Sequence, residues 1–160
     1  MSEHGLFDEK CRLRRLSELG DTLEKLDAVV DWEIFRKPIE RVTVKEAKGA
    51  GGRPPFDSIM VFRILLLQRI YNISDDQTEF QKKDRMSFMR FLGLQLSDKV
   101  PDAKTIWHFR NELSNTKLSR KLFDRFNRTQ EKENIIRHDG VIVDATFVEA
   151  PKQRNSHEEN

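Results

Sequence analysis

The sequence predicts a mainly α chain that turns to β structure only near its end. Three observations carry this. Apolar side chains recur at three- and four-residue steps from about residue 7 to residue 130. Polar residues able to cap free backbone amides, namely Asp21, Asp31, Asp57, Ser74 and Asp102, stand just ahead of such runs. At 139–149, DGVIVDATFVE, the helical period stops, and the β-branched Val141, Ile142 and Val143 follow Gly140.

Each element follows from local pattern. Phe7, Cys11, Leu13, Leu16 and Leu19 define a first helix, with Cys11 read as a packing residue, and Gly20 ends it. Asp21 caps a second carrying Leu23, Leu26 and Val30. Asp31 caps a third, with Trp32 and Phe35 on one face and Pro38 closing it. Three glycines and two prolines in KEAKGAGGRPP, 45–55, deny both helix and strand. Its Lys45, Lys48 and Arg53 suit either an arm against a phosphate backbone or a plain connector.

Asp57 then caps SIMVFRILLLQRIY, 58–71, the most apolar helix and the expected core element. Ser74 and Gln77 have the spacing of a capping box, opening a polar helix to about Asp84. A short aromatic-rich helix covers about 85–92 and stops at Gly93. A turn with Pro101 leads to Asp102 and a helix at about 103–114, in which Trp107 and the 106/109/113 stripe form the apolar side. A last amphipathic helix, at roughly 117–130, aligns Leu118, Leu122, Phe123 and Phe126. The expected divisions are a helical segment at 1–44, the linker at 45–55, a helical region at 56–134 and the start of another domain at 135–160. A lone strand cannot satisfy its backbone groups, so that last piece reads as the opening of a second domain.

Composition narrows the function classes. The 160 residues are 35% charged and 37% hydrophobic, and mean hydropathy is −0.69. No apolar run approaches the roughly 18 residues that span a bilayer, and no secretory pattern opens the chain. Cys11 is the only cysteine, which excludes an intramolecular disulfide and a cysteine-built zinc site. His4, His108, His138 and His157 are scattered without metal-ligand spacing, and GAGGRPP lacks the Lys-Ser/Thr ending of a phosphate loop. Net charge is +2, but residues 53–140 hold 17 basic and 12 acidic side chains. That surplus fits phosphate contact or an ordinary solvated surface.

Two constellations bear on chemistry. The order helix, short helix, turn, capped helix (74–84, 85–92, 102–114) resembles a helix-turn-helix, although the turn at 93–101 is longer than the tight form. The final helix would be the reader, offering Lys104, Thr105, His108, Arg110 and Asn111 to phosphates and base edges. The second is Asp144 near the end of the strand. A carboxylate there is costly unless it is paired or bound to a metal such as Mg²⁺; an Asp capping a turn fits as well. Asp139 and Glu149 flank it but point to the opposite face of a regular strand.

The segments GRPPFDSIMVFRILLLQRIYNISDDQTEF and DRMSFMRFLGLQLSDKVPDAKTIWHFRNEL resemble the N-terminal domain of bacterial insertion-sequence transposases, in the branch called the IS-five family of the DDE class. VIVDATFVEAPKQRN resembles the start of their catalytic domain. The fold implied is a helical DNA-binding domain followed by an incomplete RNase H-like α/β domain, represented by its first strand. The resemblance implies that the helical part, with Arg53 and the reader helix, binds double-stranded DNA at the element's terminal inverted repeats. It implies that Asp144 is the first acidic residue of the triad, acting with Mg²⁺ in cutting and strand transfer. The triad's second Asp and its Glu have no counterpart in the 16 residues after Asp144. This chain is therefore expected not to cleave DNA alone. Expected partners are a second copy or a full-length transposase, in a bacterial cytoplasm, at the nucleoid when bound to DNA. Two other readings stay open: a non-catalytic DNA-binding regulator or inhibitor of transposition, and a helical protein-interaction module.

Overall fold

Asp21, Asp57, Ser74 and Asp102 cap the helices that the sequence assigns to them. Asp21 accepts from Leu23 N, Asp57 from Met60 N and Asp102 from Thr105 N. At Ser74 the capping box is complete: its hydroxyl accepts from Gln77 N while the Gln77 amide oxygen accepts from Ser74 N. A computed structural model describes residues 6–43 and 55–132. These form eight helices and no strand: α1 Leu6–Glu18, α2 Thr22–Val29, α3 Glu33–Thr43, α4 Ser58–Tyr71, α5 Asp75–Asp84, α6 Met86–Leu92, α7 Ala103–Asn115 and α8 Leu118–Lys132. The predicted linker, apart from its last residue, and the predicted strand with Asp144 lie outside the described residues.

α4 is the centre, and its sequence explains why. Ile59, Val61, Phe62, Ile64, Leu65, Leu66 and Leu67 are all buried, so the helix is apolar on every side and must be surrounded. α3, α5, α6 and α7 pack around it. Aromatic rings close the core: Phe62 lies 5.1 Å from Phe35 and 5.8 Å from Phe123, and Trp32 lies 5.5 Å from Phe91 and 6.0 Å from Phe126. α2 and α3 thus share one core with α4, α6, α7 and α8.

Two arginines bind the first helices to the rest. Arg63 on α4 pairs with Asp27 at 2.8 Å and lies over the Trp32 ring at 4.3 Å, while the Trp32 indole donates to Asp27 at 2.7 Å. Arg90 on α6 pairs with Asp21 at 2.5 Å and donates to Ser17 Oγ at 2.9 Å, holding α1 and α2.

Two local expectations are corrected. Pro38 lies inside α3, which continues to Thr43. A proline removes one amide donor, and burial of Phe35 and Ile39 on either side of it outweighs that loss. Cys11 is exposed rather than packed, and among the described side chains of α1, residues 8–18, none is fully buried.

Candidate nucleic-acid interface

α7 has two faces of different chemistry. Ile106 and Leu113 are buried and Phe109 packs against the core beside them. Lys104, Trp107, His108 and Asn111 recur at three- and four-residue steps, so they share the opposite face. Lys104 and His108 are exposed and Asn111 is half-buried. Trp107 is 45% exposed, and its ring lies edge-on to His108 at 5.0 Å. This corrects the expectation that Trp107 anchors the apolar side. The signal was in the spacing: 104, 107, 108 and 111 form one helical face, and Trp107 goes with its polar neighbours.

Asp102 and Thr105 start the helix together. The Thr105 hydroxyl, and then its backbone N–H, hold the Asp102 carboxyl below its usual range by hydrogen bonding. Thr105 therefore serves first as a partner of the cap.

Arg110 points elsewhere. Its guanidinium pairs with Asp75 on α5 and donates to Gln68 Oε1 on α4 at 2.6 Å. Gln68 Nε2 in turn donates to Asp75 Oδ1 at 2.7 Å and to Thr78 Oγ1 at 3.0 Å. With Arg110 at 18% and Asp75 at 23% side-chain exposure, the pair is largely withdrawn from water. The residue read from sequence as a DNA contact thus forms a polar joint between α4, α5 and α7.

α5 holds α7 at two more points. Glu79 accepts from Ala103 N at 3.1 Å, and the fully buried Lys82 donates through Nζ to the Pro101 carbonyl. Burial pulls the Lys82 pKa down to about 8, against the opposing pull of Glu79, Asp102 and Asp75. Asp75, Glu79 and Lys82 stand four and then three residues apart, so one face of α5 carries the whole bracket. Sequence reading missed Lys82, since nothing local separates it from its exposed neighbour Lys83.

A groove of about 620 Å³ lies between α1 and α6, lined by Leu13, Met86, Met89, Leu94 and Leu96 together with charged side chains of both signs. Among the described residues, no group of three or more His, Cys, Asp or Glu could hold a metal ion, and no helix is long and apolar enough to cross a membrane. Arg53 and Asp144 lie outside the described residues. Of the predicted site residues, the structure brings Lys104, His108 and Asn111 to one face, gives Thr105 to the cap and turns Arg110 inward.

Residues 11–112 match the family model described as Transposase domain (DUF772). The chain belongs to this transposase family. The match runs from within α1 to within α7, so it takes in the α4 core, the α5 bracket and the outward face of α7. No solved structure matches the chain.

Proposed function

We propose that this transposase-family chain uses the outward face of α7 to contact double-stranded DNA at the terminal inverted repeats of an insertion sequence. The observation that supports this best is the composition of that face. An ammonium, an imidazole, an amide and an indole lie together on a helix whose other side is held by the core and by the α5 bracket. Lys104 supplies a charge for a backbone phosphate. His108 and Asn111 supply hydrogen-bonding groups for base edges, Asn being suited to adenine. Trp107 supplies an apolar plate against sugar or base methyl groups. On this reading α5, α6 and α7 act as a helix-turn-helix with an extended turn, and α7 is its reader.

The same reading places the chain in the IS-five branch of DDE transposases. Arg53 is then a phosphate contact ahead of α4, and Asp144 is the first carboxylate of a Mg²⁺-binding triad in an RNase H-like domain. Full-length transposase or a second copy is the protein partner, because transposition brings two ends together.

Titration of fluorescently labelled duplexes, one carrying the element's terminal repeat and one a scrambled repeat, tests the reading by anisotropy. The wild-type chain binds the repeat more tightly. K104A lowers affinity for both duplexes and reduces the slope of log affinity against log salt by about 0.9. N111A costs about 1–3 kcal/mol on the repeat alone. Equal binding of the two duplexes by all three proteins refutes specific recognition.

A further inference from the structure

α8 lies beyond the matched residues 11–112, and its exposed face carries an unusual order of charge. Ser119, Leu122, Phe123, Phe126 and Gln130 are buried and define its inner side. Lys121, Arg125, Arg128 and Lys132 are all exposed, at steps of four, three and four residues. That spacing sets four cations in a single straight row on the side facing away from the core. The two acidic residues of α8, Asp124 and Glu131, fall on the neighbouring row with Arg120 and Asn127. None of the four cations makes an ion pair or side-chain hydrogen bond with another described residue.

We infer that this α8 row is a second DNA-binding surface, which grips the phosphate backbone of a duplex without reading its sequence. The inference rests on the reading that DNA is the partner, and extends it to a surface that reading does not use. The dimensions agree. Eleven residues at about 1.5 Å each give a row roughly 16 Å long, the axial rise of about five phosphates on one strand. The chemistry also separates DNA from other anionic partners. A membrane surface would need an apolar face free to insert, and that of α8 is buried in the core. A protein interface needs large apolar or aromatic anchors. The exposed large hydrophobic residues among those described are Leu19, Tyr71, Phe80, Leu96 and Trp107, none of them on α8.

The test compares three versions of the 160-residue chain: wild type, K121Q/R125Q/R128Q/K132Q, and the control K10Q/R14Q/K25Q/K37Q. The control removes the same charge from exposed positions on α1, α2 and α3. Thermal melts establish that all three fold. Anisotropy with the terminal-repeat duplex and a scrambled duplex is then measured from 50 to 300 mM salt. At about 0.9 per phosphate lost, the α8 variant shows a log–log slope shallower by about 3.6 on both duplexes, and the control keeps the wild-type slope. An unchanged slope in the α8 variant, or an equal loss in the control, overturns the inference. So does an α8-dependent association with polyglutamate in a chain that binds no duplex, which would make the row a docking site for an acidic protein. Failure of the α7 reading looks different: the terminal repeat gains no preference over the scrambled duplex, while the α8 variant still loses its slope.

Discussion

Replacing Arg110 separates a structural joint from a nucleic-acid contact. In R110A, Asp75 loses its cationic partner and Gln68 Oε1 loses its donor, at a site where both charged side chains are less than a quarter exposed. Breaking a fully buried pair from one side costs about 3–5 kcal/mol, and the residual access to water here brings that to about 2–3 kcal/mol. For a domain of this size, at about 4 °C per kcal/mol, the melting temperature falls by about 10 °C. Differential scanning calorimetry of R110A, D75A and the double variant reads the coupling directly. The double variant melts well above the sum of the two single losses, with a coupling of about 1–3 kcal/mol. DNA affinity measured well below the melt changes little. An R110A protein that melts with the wild type yet loses DNA binding would refute this, and would return Arg110 to the set of phosphate contacts.

Lys82 makes a prediction in pH. Its folded pKa, about 8, lies below the ordinary 10.5, so between those values the unfolded chain binds more protons than the folded one. Stability therefore rises as pH climbs from about 8 toward 10.5, by at most about 3 kcal/mol from this group. Urea melts of the wild type minus those of K82M isolate that rise; parallel pH curves would contradict it. Gly93 ends α6 at φ +68°, and an added Cβ would meet no atom within 4 Å. G93A should thus cost about 1 kcal/mol from backbone strain alone, without a packing penalty. A loss above about 2 kcal/mol in a denaturant melt would show that the turn depends on more than φ.

The helix pattern was legible because its determinants are local. Periodicity and cap residues placed α2, α4, α5, α6 and α7 to within a residue or two, and the Leu122, Phe123 and Phe126 stripe of α8 is buried as expected. The polar side chains were harder to read. Arg110 finds Asp75 and Gln68 at sequence separations of 35 and 42, and Lys82 finds Pro101 at 19. No local pattern encodes such partners, since they depend on how α4, α5 and α7 come together. Pro38 failed as a stop signal for a related reason: tertiary burial on both sides of it overrides a local preference.

Tryptophan fluorescence tests most directly whether the outward face of α7 meets DNA. The chain has two tryptophans: Trp32 is 6% exposed within the core, and Trp107 is 45% exposed on that face. Adding duplex DNA at low salt should quench the wild-type emission and leave the residual emission of W107F, which comes from Trp32, unchanged. Quenching that persists in W107F, or saturating DNA binding with no change in wild-type emission, would contradict the assignment of α7 as the reading helix.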